Sequence, residues 1–349
     1  DGLVARLRLR APNPQVSVGR RFAFAPRPES LAEAVLAAEG FLLADLSFRE
    51  SWDVQRTGLL GLSAVVGQPF PAGLIVEILC RHGHRLAAQV SEIFALLQAN
   101  GFSYFDQPGL LPPDTDDLGL LLRLFSYSDQ PAEHRALLQT PLRLLERALA
   151  ELGTIPVWHQ PLGGAAAGAP LALWGDDCVT VQAQLILGLL DYDPVGYRTL
   201  IEQAAQSVGA LILERGLGAN RYYAPLYALW ALATLLRRLG AICDVGAQLA
   251  ALIPAAGATL GRALDQAALH TTTPQDAALL ILAAHALDRR DGRCAAWADL
   301  LIAEQRYDGS WRDEPLFITG ARGGLAGWYG SRSTTTALGY AALQTLRDA

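Results

Sequence analysis

The chain has 349 residues, 51% hydrophobic and 18% charged, with a mean hydropathy of +0.22 and a formal net charge of −6. That composition supports a large buried core, and its acidic balance gives no reason to expect a nucleic-acid partner. No apolar run reaches the ~18 residues of a membrane-spanning helix, and no signal peptide is visible. All 28 basic residues are Arg, Met is absent and Asn occurs three times; the loss of Lys and Asn together suits a G+C-rich genome. Cys80, Cys178, Cys243 and Cys294 are isolated from one another. They read as reduced, structural thiols of a cytoplasmic protein.

Residues 1–28 carry six Arg against one Asp, with Pro-containing spacing. This basic arm is expected to pack, solvated, on the rest of the chain; a membrane-surface or diphosphate-steering role is the alternative. From residue 29 to 349 two kinds of segment alternate. Amphipathic stretches at 29–47, 74–98, 132–152, 196–215, 245–268 and 293–305 have apolar residues at three-and-four spacing. Such a stripe marks a surface helix. Apolar runs at 54–66, 118–125, 178–190, 224–236, 277–287 and 334–346 have no polar face and are expected to be buried. Each run follows a polar or aromatic start: Trp52-Asp53, Asp114-Thr-Asp-Asp117, Trp174-Gly-Asp-Asp177, Arg221-Tyr-Tyr223, Pro274-Gln-Asp276 and Ser331-Arg-Ser333. The spacing of the starts is too long for a single-hairpin repeat and suits a helix pair with an elaborated loop.

Six buried helices alternating with six surface helices predict an all-α (α/α)6 barrel, a single domain over 29–349. The one alternating, strand-like run, 3–10, lies outside the repeat. Because the inner helices run parallel, their N-terminal residues converge on one mouth. Acids and aromatics line it: Trp52, Asp53, Asp114, Asp116, Asp117, Trp174, Asp176, Asp177, Arg221, Tyr222, Tyr223, Ser331 and Arg332. A Gly- and Ala-rich loop at 161–170 enters this mouth and is a candidate lid.

Asp114, Asp116 and Asp117 crowd into one turn, behind Pro112-Pro113 and ahead of a Leu run. Proline, Asp and Thr are helix starters, so plain capping explains these residues as well as chemistry does. Crowded carboxylates nevertheless raise one another's pKa, and burial adds to the shift, so one of them is expected to hold a proton at neutral pH. Asp116, flanked by the other two, is that group. A protonated acid in an apolar setting is what protonating a carbon–carbon double bond requires.

The Asp-x-Asp-Asp motif at an inner-helix start resembles the class II terpene cyclases, squalene–hopene cyclases included, whose toroid is shared with the prenyltransferases. Gln305-Arg-Tyr-Asp-Gly309-Ser-Trp311 resembles the Gln-x-x-x-Gly-x-Trp core of their repeat signature, and Gln98-Ala-Asn-Gly101-Phe-Ser-Tyr104 a degenerate copy of it. The resemblance implies an isomerase-type cyclase of isoprenoid biosynthesis, with Asp116 as general acid, polarised and held by Asp114 and Asp117. It implies a hydrophobic isoprenoid as substrate, either a prenyl diphosphate or a triterpene. Trp52, Trp174, Tyr222, Tyr223, Trp328 and Tyr329 are the candidate aromatic cradle for a carbocation, and Asp53, Asp176 and Asp177 the further acids of the pocket. Arg221 and Arg332 are the candidate diphosphate anchors. No cofactor is expected, apart from Mg2+ if the substrate is a diphosphate. Two departures stand out: Leu118-Gly119 replaces the usual Thr-Ala after the motif, and one barrel stands where full-length cyclases pair two helical domains. The lone barrel implies a shorter substrate, a second helical domain or homo-oligomer partner, peripheral membrane contact, or lost activity.

Two other readings stay open. A glycoside hydrolase on the same toroid needs two carboxylates about 5–9.5 Å apart, for which Asp116 with Asp177 or Asp53 are candidates. A non-catalytic barrel would bind isoprenoid or lipid without needing a protonated acid. Asp176-Asp177-Cys178 has the Asp-x-Cys spacing of zinc-dependent prenyltransferase β subunits, but no His lies at the separation a third ligand needs.

Overall fold

The computed structural model describes residues 28–45, 55–59, 62–65, 69–102, 113–152, 154–158, 178–242, 246–270, 273–319 and 327–349. In chain order the α-helices among them are α1 (Leu31–Asp45), α2 (Pro69–Arg81), α3 (Ala87–Ala99), α4 (Thr115–Leu124), α5 (Pro131–Leu152) and α6 (Val179–Tyr192). They continue with α7 (Arg198–Arg215), α8 (Pro225–Gly240), α9 (Ala247–Ala267), α10 (Pro274–Ala286), α11 (Gly292–Glu304) and α12 (Arg332–Arg347). Even-numbered helices form the inner ring. In α6 every residue from Val179 to Leu190 is buried, whereas α7 buries one stripe running from Leu200 to Ile212. Each inner helix packs on the next, and α12 packs on α2 to close an (α/α)6 barrel.

The inner helices run the same way. N-terminal residues meet N-terminal residues: the Arg221 amide donates to the Cys178 sulfur (3.4 Å), and Thr335 Oγ1 bonds Gln275 Oε1 (3.0 Å). At the other end Asp191, closing α6, accepts from Arg238 of α8 (2.6 Å) and Arg81 of α2 (3.5 Å).

Five of the six expected inner helices stand where the sequence placed them, but the run at 54–66 forms no helix. Instead β1 (Gln55–Leu59) pairs antiparallel with β2 (Leu62–Val65). Thr57, Val65 and the glycines at 58 and 61 favour an extended hairpin over a helix. The first inner position falls to α2, which together with α3 was expected as a single outer helix. The chain breaks at His82-Gly83-His84, and Pro69 to Cys80 is buried almost all round. β1 also pairs with β4 (Gly327–Gly330), and β4 with β3 (Phe317–Thr319), giving the sheet order β2-β1-β4-β3. Since β4 leads into α12 and β2 leads into α2, this sheet sits at the N-terminal mouth.

The ring is clasped where its last helices meet its first. Gln305 Nε2 donates to the carbonyls of Ala34 on α1 (2.9 Å) and Gly309 (2.8 Å), and Trp311 Nε1 donates to Leu301 of α11 (2.8 Å). The Trp311 amide bonds Thr336 Oγ1 of α12 (3.2 Å), so outer and inner helices are tied at one point. Gly309 sits at φ +84°, and a Cβ there would collide with the Ala37 carbonyl of α1. Tyr104, in the degenerate copy of this signature, lies outside the described residues.

Candidate active site

Asp114 caps α4: its backbone is extended and its Oδ1 accepts from the Asp117 amide (2.7 Å). The segment 154–158 crosses the mouth beside it, where the Thr115 amide and hydroxyl donate to the Val157 and Pro156 carbonyls. Asp114 itself pairs with Trp158 in an antiparallel bridge. From below, α4 is drawn onto α6 by a glycine contact, since a Cβ on Gly188 would meet the Gly119 carbonyl at 2.5 Å. Gly119 contributes from its own side, where a Cβ would meet the Gln184 backbone at 2.9 Å.

The cap leaves Asp116 and Asp117 in the first turn, where the helix dipole favours ionised carboxylates. Burial outweighs it. Asp116 is partly buried, with Oδ1 sealed and unpartnered, and its pKa is pushed up to about 8 by burial and then by the Asp114 charge. The Tyr223 hydroxyl and the more distant Arg123 guanidinium pull the other way, although the Tyr223 contact falls short of hydrogen-bond geometry. Asp117 is fully buried with neither oxygen hydrogen-bonded, and burial, Asp114 and Asp116 hold its carboxyl well above the usual range. Burial and the neighbouring charges thus favour the protonated form of both carboxyls.

Around Asp116 the walls are aromatic. Tyr223 stacks on Tyr227 of α8 (centroids 4.7 Å, 12°), lies 4.7 Å from the Phe317 ring of β3 and 6.2 Å from Phe70 of α2. Phe70 meets Phe317 edge-on at 5.5 Å. The Asn220 amide holds the segment before α8 by donating to the Tyr223 carbonyl (2.7 Å), and its Oδ1 takes bonds from Thr180 (2.9 Å) and the Cys178 thiol (3.7 Å). Beneath the stack a fully buried pair crosses the barrel: Arg123 Nε lies 2.9 Å from both Glu77 oxygens, and Nη1 donates to the Gln184 carbonyl (3.0 Å). Gln184 Nε2 in turn donates to the Tyr227 hydroxyl (2.8 Å).

Of the residues singled out from the sequence, Asp114, Asp116, Asp117 and Tyr223 come together. Tyr222 lies at the rim, its carbonyl accepting from Ile318 (2.7 Å). Tyr329 and Trp328 occupy opposite faces of β4, the first buried and the second half-buried. Arg332 points the other way, ion-paired with Asp308 (3.3 Å) and lying over the Phe41 ring of α1 (5.2 Å); as first residue of α12 it projects toward the outer ring. Arg221 is exposed at the rim. Trp52, Asp53, Trp174, Asp176, Asp177, Cys243 and the proposed lid lie outside the described residues, as do the basic arm through residue 27 and the strand-like run in it. Sequence reasoning missed Tyr227, Phe70, Phe317 and the Glu77–Arg123 pair. Tyr227 was signalled by its place one turn after Tyr223, and Arg123 by being the single charge in a Leu run.

Among the described residues no three His, Cys, Asp or Glu side chains converge as a metal site, and no helix is long and apolar enough to cross a membrane. Cys80, Cys178 and Cys294 are buried free thiols.

Fold and site together define a helical toroid with a carboxyl group of raised pKa beside an aromatic cluster. No protein-family model and no curated protein matches the chain. Among solved structures it is similar to the type II terpene cyclase MstE from Scytonema, at 16% identity and a TM-score of 0.61, covering 90% of this chain and 97% of that one. It is also similar to an unsaturated glucuronyl hydrolase specific for heparin, at 11% identity and a TM-score of 0.55, covering 91% of this chain and 97% of that one. Both likenesses are of fold, and both neighbours are enzymes.

Proposed function

We infer that the protein is a class II cyclase of a hydrophobic isoprenoid, with Asp116 as the proton donor. One observation carries the reading: a carboxyl that keeps its proton to about pH 8 stands beside the Tyr223–Tyr227–Phe317–Phe70 cluster. Asp116 gives its proton to a terminal alkene or epoxide, and the carboxylate left behind is stabilised by the Tyr223 hydroxyl and the field of Arg123. The carbocation is stabilised by ring faces that cannot capture it. Asp114 acts through its charge, which helps burial keep Asp116 protonated until substrate arrives, and Asp117, its carboxyl pKa likewise raised, fills the space behind. The likeness of fold to a type II terpene cyclase supports this reading.

The likeness to a glucuronyl hydrolase keeps sugar hydrolysis as the rival. That chemistry needs two carboxylates across a substrate and many polar groups for its hydroxyls, whereas the described mouth clusters its acids on one turn against aromatic rings. The test is incubation with farnesyl diphosphate, geranylgeranyl diphosphate, squalene and an unsaturated glucuronyl disaccharide, with products identified by mass spectrometry. Cyclised products are expected, and Asp116→Asn is expected to abolish them while keeping size, cap and fold. An active Asp116→Asn variant would refute the mechanism, and turnover of the disaccharide alone would transfer the assignment to the hydrolase.

A further inference from the structure

The end of the barrel opposite the acid is hollow. A cavity of about 240 Å³ lies between the C-terminal halves of the inner helices, and all six contribute to its wall. Its wall mixes apolar residues, Ile78, Leu187, Trp230, Ala231 and Leu282 among them, with the polar Arg81, Thr234, Arg237, His285 and Thr345. Tyr227, Gln184 and the Glu77–Arg123 pair form its floor, and Tyr227 stacked on Tyr223 separates it from Asp116.

Charge is unevenly satisfied there. Glu77 is taken by Arg123 (2.9 Å) and Arg81 (2.7 Å), and Asp191 by Arg238 (2.6 Å) and Arg81 (3.5 Å). Asp348, which acts on His82, is paired with Arg347 (3.5 Å), and the exposed Asp288 with Arg290 (3.8 Å). Arg237 has no carboxylate partner among the described residues. Burial, Arg237 and Arg290 hold the His285 imidazole below its usual pKa, and His285 Nδ1 is buried with no hydrogen-bond partner. The inner-helix C-termini place partial negative charge at this end, which the last-turn arginines Arg81, Arg237, Arg238 and Arg347 oppose. What remains is one guanidinium beside an imidazole nitrogen without a hydrogen-bond partner, at the edge of a chamber of mixed lining.

We propose that this rear cavity is a binding site for a small monocarboxylic acid, its apolar body against Trp230, Leu187 and Leu282 and its carboxylate on Arg237 beside His285. A carboxylate is favoured because the guanidinium fork of Arg237 matches its two oxygens, and the chamber has room for a ring or short chain.

Benzoate is the probe, titrated calorimetrically into the whole protein, with benzyl alcohol as the uncharged control. Saturable benzoate binding is expected, with Arg237→Gln weakening it about fivefold, the size of one partly exposed ion pair. Arg237 is exposed, so circular dichroism of that variant should match the parent. Asp116→Asn should bind benzoate as the parent does, which separates the rear cavity from the mouth. In NMR titrations the His285 imidazole should gain its proton at higher pH when benzoate is bound, as a new anion beside it requires. Absent saturable binding, equal affinity in Arg237→Gln, equal affinity for benzyl alcohol, or an unmoved His285 titration would each overturn the proposal.

Discussion

At the scale of single residues, the acid turn sets two pH dependences with known signs. Asp116 must hold its proton to act, so turnover of an accepted substrate should fall as pH rises through about 8. Asp114→Asn keeps a cap oxygen for the Asp117 amide but removes the charge that helps hold the proton, so this alkaline limb should move to lower pH. Rate–pH profiles of parent and variant on one substrate check both; a limb unmoved by Asp114→Asn would leave burial as the sole cause. Stability follows the same proton. An unfolded carboxyl ionises near pH ~4, so between there and about 8 the native state binds a proton that the unfolded chain has lost. Its contribution is complete below that window and is lost as pH rises through it. Urea midpoints measured across pH 4–8 should therefore decline less steeply in Asp116→Asn than in the parent.

At the scale of elements, inner helices were legible because they carry almost no charge and no polar face, as in the 12 consecutive buried residues of α6. The hairpin at β1 and β2 was not, since an apolar stretch of that length reads equally as a buried helix and its strand partner β4 lies far along the chain. The same limit hid Phe70 and Phe317, which reach Tyr223 from α2 and β3 and carry no local signal of a shared site. By contrast the acid turn could be read locally, because cap, crowding and Leu run all lie within a dozen residues. The buried pair offers an element-scale test. Arg123→Leu leaves Glu77 in the core with only the partly exposed Arg81, so it should cost about 3–5 kcal/mol in urea unfolding. Glu77→Gln with Arg123→Leu should recover part of that loss, and a double variant as unstable as the single one would argue against ion pairing as the cause.

At the scale of the whole molecule, the inner ring has two chemically unlike ends: a mouth where acids of raised pKa gather and an opposite, hollow end with arginines. Parallel helices give the two ends opposite polarity, because each presents its N-terminus to one and its C-terminus to the other. The fold was legible as a repeat, but the division of its interior was not: the floor at Glu77, Arg123, Gln184 and Tyr227 comes from four different helices.

The Gln305 clasp carries a kinetic corollary. Its partner Ala34 is 271 residues away along the chain, so the bond cannot form until nearly the whole ring has been assembled, and loop-closure entropy opposes it until then. A contact made that late belongs to the native side of the folding barrier. Gln305→Leu should accordingly hasten unfolding while leaving the refolding rate nearly unchanged, a split that stopped-flow chevron arms resolve directly. A slowed refolding arm would instead put ring closure early, with the remaining helices condensing onto an already joined seam.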